Sequence, residues 1–310
     1  MSLYSIKELN KRLAENIAAL VEETECAYEK KILDAAIKIR DRSEDCPIVL
    51  LSGPSGSGKT TTALRIEKLL DSWGYETHTL SMDNYFYSCT EGNMPLDDDG
   101  KIDLESPLRL DVSLLAEHME QIARCKPIDV PTFDFANQCR SKITIPLHRH
   151  KGELVILEGI HSLNPEVTGS AVDFSTGVYV SVRTRIQADN GEILHPEKIR
   201  LCRRLLRDSL YRGQSFETTI SRLSSVSRGE RLYILPHKNR AEISIDTFLP
   251  YEMAVYSSEL AQGMAKVEDA FLAQYGVEEL KAFLLQTSPM SKDLVPQNSL
   301  IREFIGDLEL

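Results

Sequence analysis

The chain has 310 residues, of which 42% are hydrophobic and 27% charged, and its formal net charge at pH 7 is −11. This length fits one large α/β domain with extensions or two small domains, and the acidic balance argues against a nucleic-acid partner. The chain has no apolar run of membrane-spanning length, no signal-peptide pattern at its N-terminus and no paired cysteines. We therefore expect a cytoplasmic protein without a membrane partner.

The N-terminal residues 1–45 form a predicted helical extension. Apolar residues recur at helical spacing between residues 5 and 40, and the acidic cluster at 22–25 indicates a break between two helices. Such an extension packs either on the core or on a second subunit. The pattern therefore leaves open whether the chain is a monomer or a homo-oligomer.

The stretch GPSGSGKTT at residues 53–61 matches the pattern of a phosphate-binding loop, G-x-x-x-x-G-K-[ST]. It follows a buried-strand pattern at 47–52 and precedes a helical pattern at 61–70, which is the context that the mechanism requires. Glycines let backbone N–H groups surround phosphate oxygens, Lys59 would reach the β- and γ-phosphates, and the Thr60 hydroxyl would bind Mg²⁺. The predicted nucleotide-binding residues are Gly53, Ser55, Gly56, Ser57, Gly58, Lys59, Thr60 and Thr61.

Two further predicted strands end in carboxylates. The strand at 75–82 ends at Asp83, and the apolar run at 154–157 ends at Glu158. Ligands of open α/β sheets bind outside the carboxyl ends of the strands, so Asp83 is a candidate general base or metal partner. Glu158 resembles the acidic group that holds Mg²⁺ beside a phosphate loop. The segment at 88–107 is predicted to be a long loop that covers the acceptor site.

The predicted helix at 196–211 carries a stripe of arginines on one face. The stripe consists of Arg200, Arg203, Arg204 and Arg207. An adjacent stripe, expected to pack inward, consists of Cys202, Leu205, Leu206 and Leu210. Guanidinium groups suit phosphate oxygens, so one interpretation is a lid that binds a nucleotide's phosphates. The other is a solvated face paired with carboxylates such as Asp208.

The remaining pattern predicts a last strand at 243–249 and helices after it. It indicates no catalytic or binding residues in these helices. Together these elements predict an α/β fold with a P-loop NTPase-type, mostly parallel sheet flanked by helices. An arginine-bearing helical lid and helical N- and C-terminal extensions complete it. The predicted segments are the N-terminal extension at 1–45, a P-loop domain at 46–250 and the C-terminal extension at 251–310.

The order and spacing of four blocks resemble the uridine kinase and phosphoribulokinase family of P-loop kinases. The blocks are GPSGSGKTT at 53–61, SMDNYF at 81–86, VPTFDFANQCR at 130–140 with VILEGIH at 155–161, and RRLLRDSLYRG at 203–213. The last two are more specific than the phosphate loop alone, and the likeness covers roughly residues 46–250. The segments SCTEGNMPLDDDG and NSLIREFIG also look like a bacterial branch of that family.

The resemblance implies roles for individual residues. Asp83 would accept the proton of the acceptor hydroxyl, and Glu158 would lie at the magnesium position. Arg204, Arg207 and Arg212 match the lid arginines that neutralise the transferring phosphoryl group. The family transfers the γ-phosphoryl group of ATP, with Mg²⁺, to a hydroxyl, which in uridine kinases is the 5′-hydroxyl of uridine or cytidine.

The chain departs from the family pattern around the acceptor. Phe86 and Phe133 stand where tyrosines are common, Gln138 stands near the position of a base-contacting histidine, and Gln214 replaces a further lid arginine. Losing polar contacts can change the substrate of a site, although a glutamine amide can still pair with a uracil edge. The predicted substrate-binding residues are Asp83, Phe86, Phe133, Gln138 and Arg140.

Three alternatives to a pyrimidine nucleoside kinase stay open at this point. The acceptor can be a different hydroxyl compound, such as a sugar phosphate or another nucleoside. The protein can be a catalytically idle, nucleotide-binding regulator. A GTPase-like switch is disfavoured because the chain contains no N-K-x-D guanine-reading motif, although the sequence does not decide between ATP and GTP as the donor.

Overall fold

The computed structural model describes residues 2–89, 94–97, 99–134 and 137–309. Its strands are β1 (Leu3–Ser5), β2 (Ile48–Ser52), β3 (Thr77–Ser81), β4 (Ile128–Asp134), β5 (Cys139–Leu147), β6 (Leu154–Glu158), β7 (Ser175–Ser181), β8 (Arg185–Gln187), β9 (Ile193–Leu194) and β10 (Ile243–Asp246). Its α-helices are α1 (Ile6–Glu15), α2 (Ile17–Arg40), α3 (Lys59–Ser72), α4 (Val112–Ala123), α5 (Pro165–Thr168), α6 (Pro196–Arg212), α7 (Phe216–Ser221), α8 (Leu223–Gly229), α9 (Glu252–Met264), α10 (Asp269–Gln274), α11 (Glu278–Gln286) and α12 (Arg302–Ile305). Within the described ranges, no helix combines the length and apolar character needed to cross a membrane.

The central sheet consists of five parallel strands in the order β10-β7-β2-β6-β3. β2 lies in the middle, and neither of its neighbours, β6 and β7, follows it directly in the chain. Parallel neighbours need long crossover connections, which here contain helices. The predicted α/β fold with a mostly parallel sheet is confirmed. Antiparallel pairing occurs outside this sheet, in the β4–β5 hairpin and between β8 and β9.

Alternate residues of the central strands enter two apolar clusters, one on each face of the sheet. In β2, Val49 and Leu51 belong to one cluster, whereas Ile48 and Leu50 belong to the other. All four side chains are at most 2% exposed. Burying an aliphatic side chain of this size stabilises a fold by about 1.5–3 kcal/mol. Because both faces are covered, the strands carry continuous apolar runs instead of alternating ones.

The two N-terminal helices meet at a different residue from the one predicted. The break lies at Asn16, whose side-chain oxygen accepts a hydrogen bond of 3.1 Å from the Ala19 N–H at the start of α2. Asparagine is a favoured residue for this capping contact. α2 continues through the acidic cluster at 22–25, so the break predicted there was wrong. Glu25 of that cluster is buried and accepts a hydrogen bond of 2.6 Å from Ser299.

α6 buries more of its arginines than a solvated face allows. Arg200, Arg203 and Arg204 are at most 6% exposed, so the prediction of a solvated face was wrong. The pairing with Asp208 that this interpretation included is confirmed for Arg207. The inward packing predicted for Leu210 was also wrong, since its side chain is 52% exposed. Residues from Ser209 onward form the exposed last turn of α6, which extends past the core.

Both terminal extensions pack on the sheet. Leu20 of α2, Val180 of β7, Tyr256 of α9 and Phe304 of α12 belong to one apolar cluster, and all four are 0% exposed. The extensions therefore share the core that covers one face of the central strands. The segment boundaries after residues 45 and 250 stay predictions.

Candidate active site

The phosphate loop connects the carboxyl end of β2 to the first turn of α3. Gly56 and Gly58 have φ angles of +77° and +81°, which residues with a side chain rarely adopt. A Cβ atom at Gly53 would collide with the carbonyl oxygen of Val180, so this position has no room for a side chain. The Ser57 hydroxyl is buried without a hydrogen-bond partner among the described residues. A tight loop that only glycine can form, with an unpaired Ser57 hydroxyl, fits the phosphate groups of a nucleotide.

The first turn of α3 presents three predicted nucleotide-binding residues. Lys59 is half-buried, and its Nζ donates to the Pro54 carbonyl oxygen at 3.4 Å. Thr60 is exposed at the helix start, where N–H groups and the helix dipole favour an anion. Thr61 is buried, and its Oγ1 donates to Glu303 at 2.5 Å. The sequence predicted no chemistry in the C-terminal extension, so this contact was missed. It joins residues 242 positions apart, which no local pattern can indicate.

Two carboxylates lie at the carboxyl ends of the neighbouring strands β3 and β6. Ser81 and Glu158 are paired in register, and Asp83 follows in the 3-10 turn Met82–Tyr85. Burial raises the pKa of Asp83, and the nearby charge of Lys59 opposes that rise. Burial also raises the pKa of Glu158. The positive charge of Lys59 opposes this rise, and the negative charge of Asp83 adds to it. The two acids thus share one electrostatic environment with the phosphate-loop lysine.

Arg204 of α6 lies directly against the phosphate loop. A Cβ atom at Gly56 would be 3.2 Å from its Cγ, and the residue is 5% exposed. Within the described ranges, no hydrogen bond or ion pair holds its guanidinium group. Burial lowers the pKa of Arg204 to about 10, although the charge of Asp208 opposes this. A buried cation without a bonded partner beside a phosphate loop fits an anionic ligand.

The other two predicted lid arginines are held by one carboxylate. Asp208 accepts a hydrogen bond of 2.9 Å from Arg207 and lies 3.3 Å from Arg212. The charges of both arginines oppose the rise that burial causes in the pKa of Asp83, so they lie within electrostatic reach of the candidate base. The remaining arginines of the stripe are engaged elsewhere, Arg200 with Glu230 at 2.6 Å and Arg203 with Glu252 at 2.7 Å.

The described part of the predicted covering loop is anchored beside the site. Asp103 is buried and accepts hydrogen bonds of 2.8 Å from Arg228 and 2.9 Å from Tyr233. The next acid, Glu105, packs its side chain against Gly229 of α8. These contacts hold residues 103–105 in place, and the charge of Lys59 in the phosphate loop reaches Glu105. The predicted loop at 88–107 also includes residues 90–93 and 98, which lie outside the described ranges.

Sequence reasoning missed two titratable residues of the site, Glu105 and His161. Burial raises the pKa of Glu105 to about 7, and the charges of Arg204 and Lys59 oppose that rise. His161 is 1% exposed, neither ring nitrogen has a hydrogen-bond partner in the described chain, and burial lowers its pKa to about 4. His161 ends the VILEGIH block, which is the signal that could have found it. Glu105 has no comparable local signal.

Two aromatic residues of the predicted acceptor site pack together. The rings of Phe86, which follows the turn bearing Asp83, and Phe133 of β4 meet edge to face with centroids 5.8 Å apart. The Arg109 guanidinium lies over the Phe86 ring at 4.6 Å. The two phenylalanine rings and the Arg109 guanidinium therefore lie near Asp83, the candidate base.

The other two predicted acceptor residues belong to the β4–β5 hairpin. Arg140 donates to Asp111 at 2.9 Å and to the Phe86 carbonyl oxygen at 3.3 Å, so its guanidinium binds within the protein. Gln138 has a φ of +51° in the hairpin turn, and its carbonyl oxygen accepts a bond of 3.0 Å from the Cys89 N–H. Contact of either residue with a substrate stays a prediction. Phe135, the third residue of the Phe-Asp-Phe block, lies outside the described residues.

Residues 48–252 match the sequence model of the phosphoribulokinase / uridine kinase family. A uridine kinase from Lactobacillus johnsonii is 31% identical over 201 residues, which cover 64% of this chain and 86% of the relative. A uridine kinase from Staphylococcus aureus is 32% identical over 199 residues, again 64% of this chain and 86% of the relative. The matched region contains the phosphate loop, both strand-end carboxylates and α6, and it ends at the start of α9.

A solved structure of a proposed fructose transport system kinase from Silicibacter sp. TM1040 has a similar fold. It aligns with a TM-score of 0.50 and 18% sequence identity, covering 66% of this chain and 95% of that one. At this identity the likeness concerns the fold alone.

Proposed function

The chain belongs to the phosphoribulokinase / uridine kinase family, and from that premise we propose that it phosphorylates the 5′-hydroxyl of uridine or cytidine. Membership makes it an ATP-dependent kinase of a small molecule. The observation that carries the residue assignment is the position of Asp83. This carboxylate lies at a strand end, its pKa is raised by burial, and Lys59, Arg207 and Arg212 lie within reach of its charge.

The donor half of the mechanism uses the phosphate loop and α6. Backbone N–H groups of the loop and the start of α3 bind the phosphates of ATP, and Lys59 reaches the β- and γ-oxygens. Arg204 supplies a buried positive charge, and among the described residues no carboxylate bonds to it directly. In a low-dielectric site, such a preorganised charge stabilises the developing negative charge of the transition state.

The acceptor half uses Asp83 as the base. Its carboxylate takes the proton of the acceptor hydroxyl while that oxygen bonds to the γ-phosphorus, and the bond to the β–γ bridging oxygen breaks to release ADP. A raised pKa brings a carboxylate closer to the operating pH and makes it a better base. Arg207 and Arg212, held by Asp208, neutralise the transferring phosphoryl group.

The oxygen ligands of Thr60 and Glu158 would hold a divalent ion, which membership of this kinase family implies in general. Thr60 offers an exposed hydroxyl and Glu158 a buried carboxylate. Burial raises the pKa of Glu158, and a bound cation would offset that rise and favour the charged carboxylate. Hard oxygen ligands of this kind suit Mg²⁺. Such an ion would supply positive charge that stabilises the phosphate oxygens during the transfer.

The acceptor assignment rests on the relatives and on the chemistry of the pocket. Two relatives named uridine kinase align over most of their own length. The Phe86 and Phe133 rings offer an apolar surface for a base, and the Gln138 amide can donate to and accept from a uracil edge. Glu105 and His161 lie beside the loop as polar partners for further hydroxyl groups. The alternatives are another hydroxyl acceptor and an idle nucleotide-binding protein.

The test is ADP release from Mg·ATP and Mg·GTP across a panel of nucleosides, sugars and sugar phosphates. We expect turnover with uridine and cytidine, with the 5′-monophosphate identified by mass spectrometry. Asp83→Asn should lower kcat by roughly 10²- to 10⁴-fold, the usual contribution of a general base. Asp34→Asn, an exposed substitution on α2, is the matched control and should leave kcat unchanged.

The outcomes separate the alternatives. If only a different acceptor supports turnover, the substrate assignment is wrong and the residue assignments stand. Nucleotide binding without acceptor-dependent ADP release across the panel would contradict the pyrimidine nucleoside assignment. Full activity of Asp83→Asn would contradict the proposed base.

A further inference from the structure

The C-terminal residues 299–306, here called the tail segment, lie against the phosphate loop. A Cβ atom at Gly58 would be 2.7 Å from Cδ1 of Leu300, which is 0% exposed. This segment is outside residues 48–252, so the match to the family gives it no role. The loop that binds the donor therefore has a neighbour from a part of the chain with no assigned function.

The tail segment is held firmly in this position. Ser299 donates a hydrogen bond of 2.6 Å to the buried carboxylate of Glu25. Arg302 donates a hydrogen bond of 2.6 Å to the Val295 carbonyl oxygen. The Arg203 guanidinium carbon lies 5.2 Å from the centroid of the Phe304 ring. Contacts on both sides of residue 303 thus fix the place from which its side chain extends.

Glu303 binds the donor groups of the phosphate-loop helix. Its Oε2 accepts a hydrogen bond of 2.5 Å from Thr61 Oγ1 and one of 3.4 Å from the Thr61 N–H. Thr61 occupies the first turn of α3, where N–H groups have no partner within the helix and the helix dipole favours an anion. The negative charge of Glu303 reaches the site itself, because it adds to the rise that burial causes in the pKa of Glu158.

A carboxylate at this position meets the same donors as a nucleotide. Backbone N–H groups at the end of the loop bind the α- and β-phosphates in sites of this type. Two anions cannot share the Thr61 donors without repulsion. We propose that Glu303 competes with the phosphates of the donor nucleotide for Thr61, so that the tail segment sets the affinity of the protein for ATP and ADP.

The inference rests on nucleotide binding at the phosphate loop, which is part of the proposed function, and is independent of the acceptor. Competition makes a specific prediction about charge. Removing the carboxylate should strengthen nucleotide binding, although it removes a native hydrogen bond. A purely structural role for Glu303, holding Thr61 in place, predicts the opposite change.

The experiment is isothermal titration calorimetry of the full chain with Mg·ADP. Glu303→Gln keeps the size and removes the charge, and Glu303→Ala removes both. We expect both variants to bind ADP more tightly, by roughly 2- to 30-fold, the range for one charge at a helix N-terminus. Glu303→Asp, which withdraws the carboxylate by one methylene group, should fall between them and the unmodified chain. Glu309→Gln, an exposed substitution near the tail segment, is the matched control and should leave the Kd unchanged.

Unchanged or weaker ADP binding by Glu303→Gln, in protein whose melting curve shows it to be folded, would overturn the proposal. Glu303→Asp perturbs the packing least and keeps the test available if the larger changes prevent folding. Absence of ADP binding by the unmodified chain would instead contradict nucleotide binding at the loop, so the two failures are distinguishable.

Discussion

At the scale of single residues, the site concentrates acids whose protonated forms are favoured by burial. Asp83, Glu105 and Glu158 all have raised pKa values, with burial as the largest cause in each case. Lys59 opposes the rise at all three positions. A net accumulation of buried acids is costly without a cation. A divalent ion and the lid arginines would therefore stabilise the charged forms that the reaction uses.

Glu105 gives a prediction about stability and pH. Its pKa rises from an ordinary 4.5 to about 7, so the folded state binds its proton more tightly than the unfolded state does. Between these two values the folded chain carries the extra proton, and the free energy of unfolding falls as the pH rises. Glu105→Gln removes this titration. Without nucleotide, it should melt roughly 2–5 °C above the unmodified chain at pH 8 and close to it at pH 4.5.

Differential scanning calorimetry at the two pH values measures this effect. Glu44→Gln, an exposed substitution before β2, is the control. Its melting temperature should differ little from that of the unmodified chain at either pH. The same melting difference for Glu105→Gln at both pH values would show that Glu105 ionises normally in the fold.

At the scale of elements, α6 serves two surfaces at once. Its inner arginine, Arg203, is fully buried and pairs with the fully buried Glu252 at the start of α9. Its outer arginines, Arg204, Arg207 and Arg212, face the phosphate loop and the candidate base. The inner pair fixes the helix, and the fixed helix places the outer charges.

We expect Arg203→Met to lower the free energy of unfolding by about 3–5 kcal/mol, because it leaves Glu252 buried without its charge partner. Arg203→Met combined with Glu252→Gln should recover a large part of that loss, since no uncompensated charge then remains. Urea denaturation measures both variants. Arg231→Met, at an exposed position, is the control and should change stability by less than about 0.5 kcal/mol. A double variant as unstable as the single one would show that packing, not charge, dominates at this position.

At the scale of the whole molecule, the terminal extensions complete one face of the core. Leu20, Tyr256 and Phe304 are all fully buried in the apolar cluster that also contains Val180 of the central sheet. The extensions also approach the site, since Glu25 binds Ser299 in the tail segment and Glu303 binds Thr61. Residues far apart in the chain thus contribute both to the apolar core and to the contacts around the phosphate loop.

A chain truncated after residue 250 tests how much the C-terminal extension contributes to stability. Removal of residues 251–310 exposes the apolar face of the sheet and leaves Arg203 without Glu252. We expect loss of a cooperative melting transition, or a melting temperature lower by more than about 10 °C. A chain ending at residue 307 is the control and should melt like the full chain. Unchanged melting of the 1–250 chain would show that these residues fold independently of the C-terminal extension.

The sequence by itself determined the parts of this protein that depend on local spacing. The phosphate loop, its flanking strand and helix, the acids at strand ends and the helix that carries the arginines all follow from short patterns. Glycine at a positive φ, a continuous buried strand and a helical repeat are each decided by residues close together in the chain.

The tertiary structure alone decided which of these side chains meet. Two arginines of the predicted stripe, Arg200 and Arg203, form ion pairs with Glu230 and Glu252. Of the other two, Arg204 contacts the phosphate loop and the charge of Arg207 reaches Asp83. Glu105 and Glu303 reach the site from a loop and from the C-terminal helix, over separations that carry no periodic signal. Their roles depend on burial and on charge at short range, and both quantities exist only once the chain has folded.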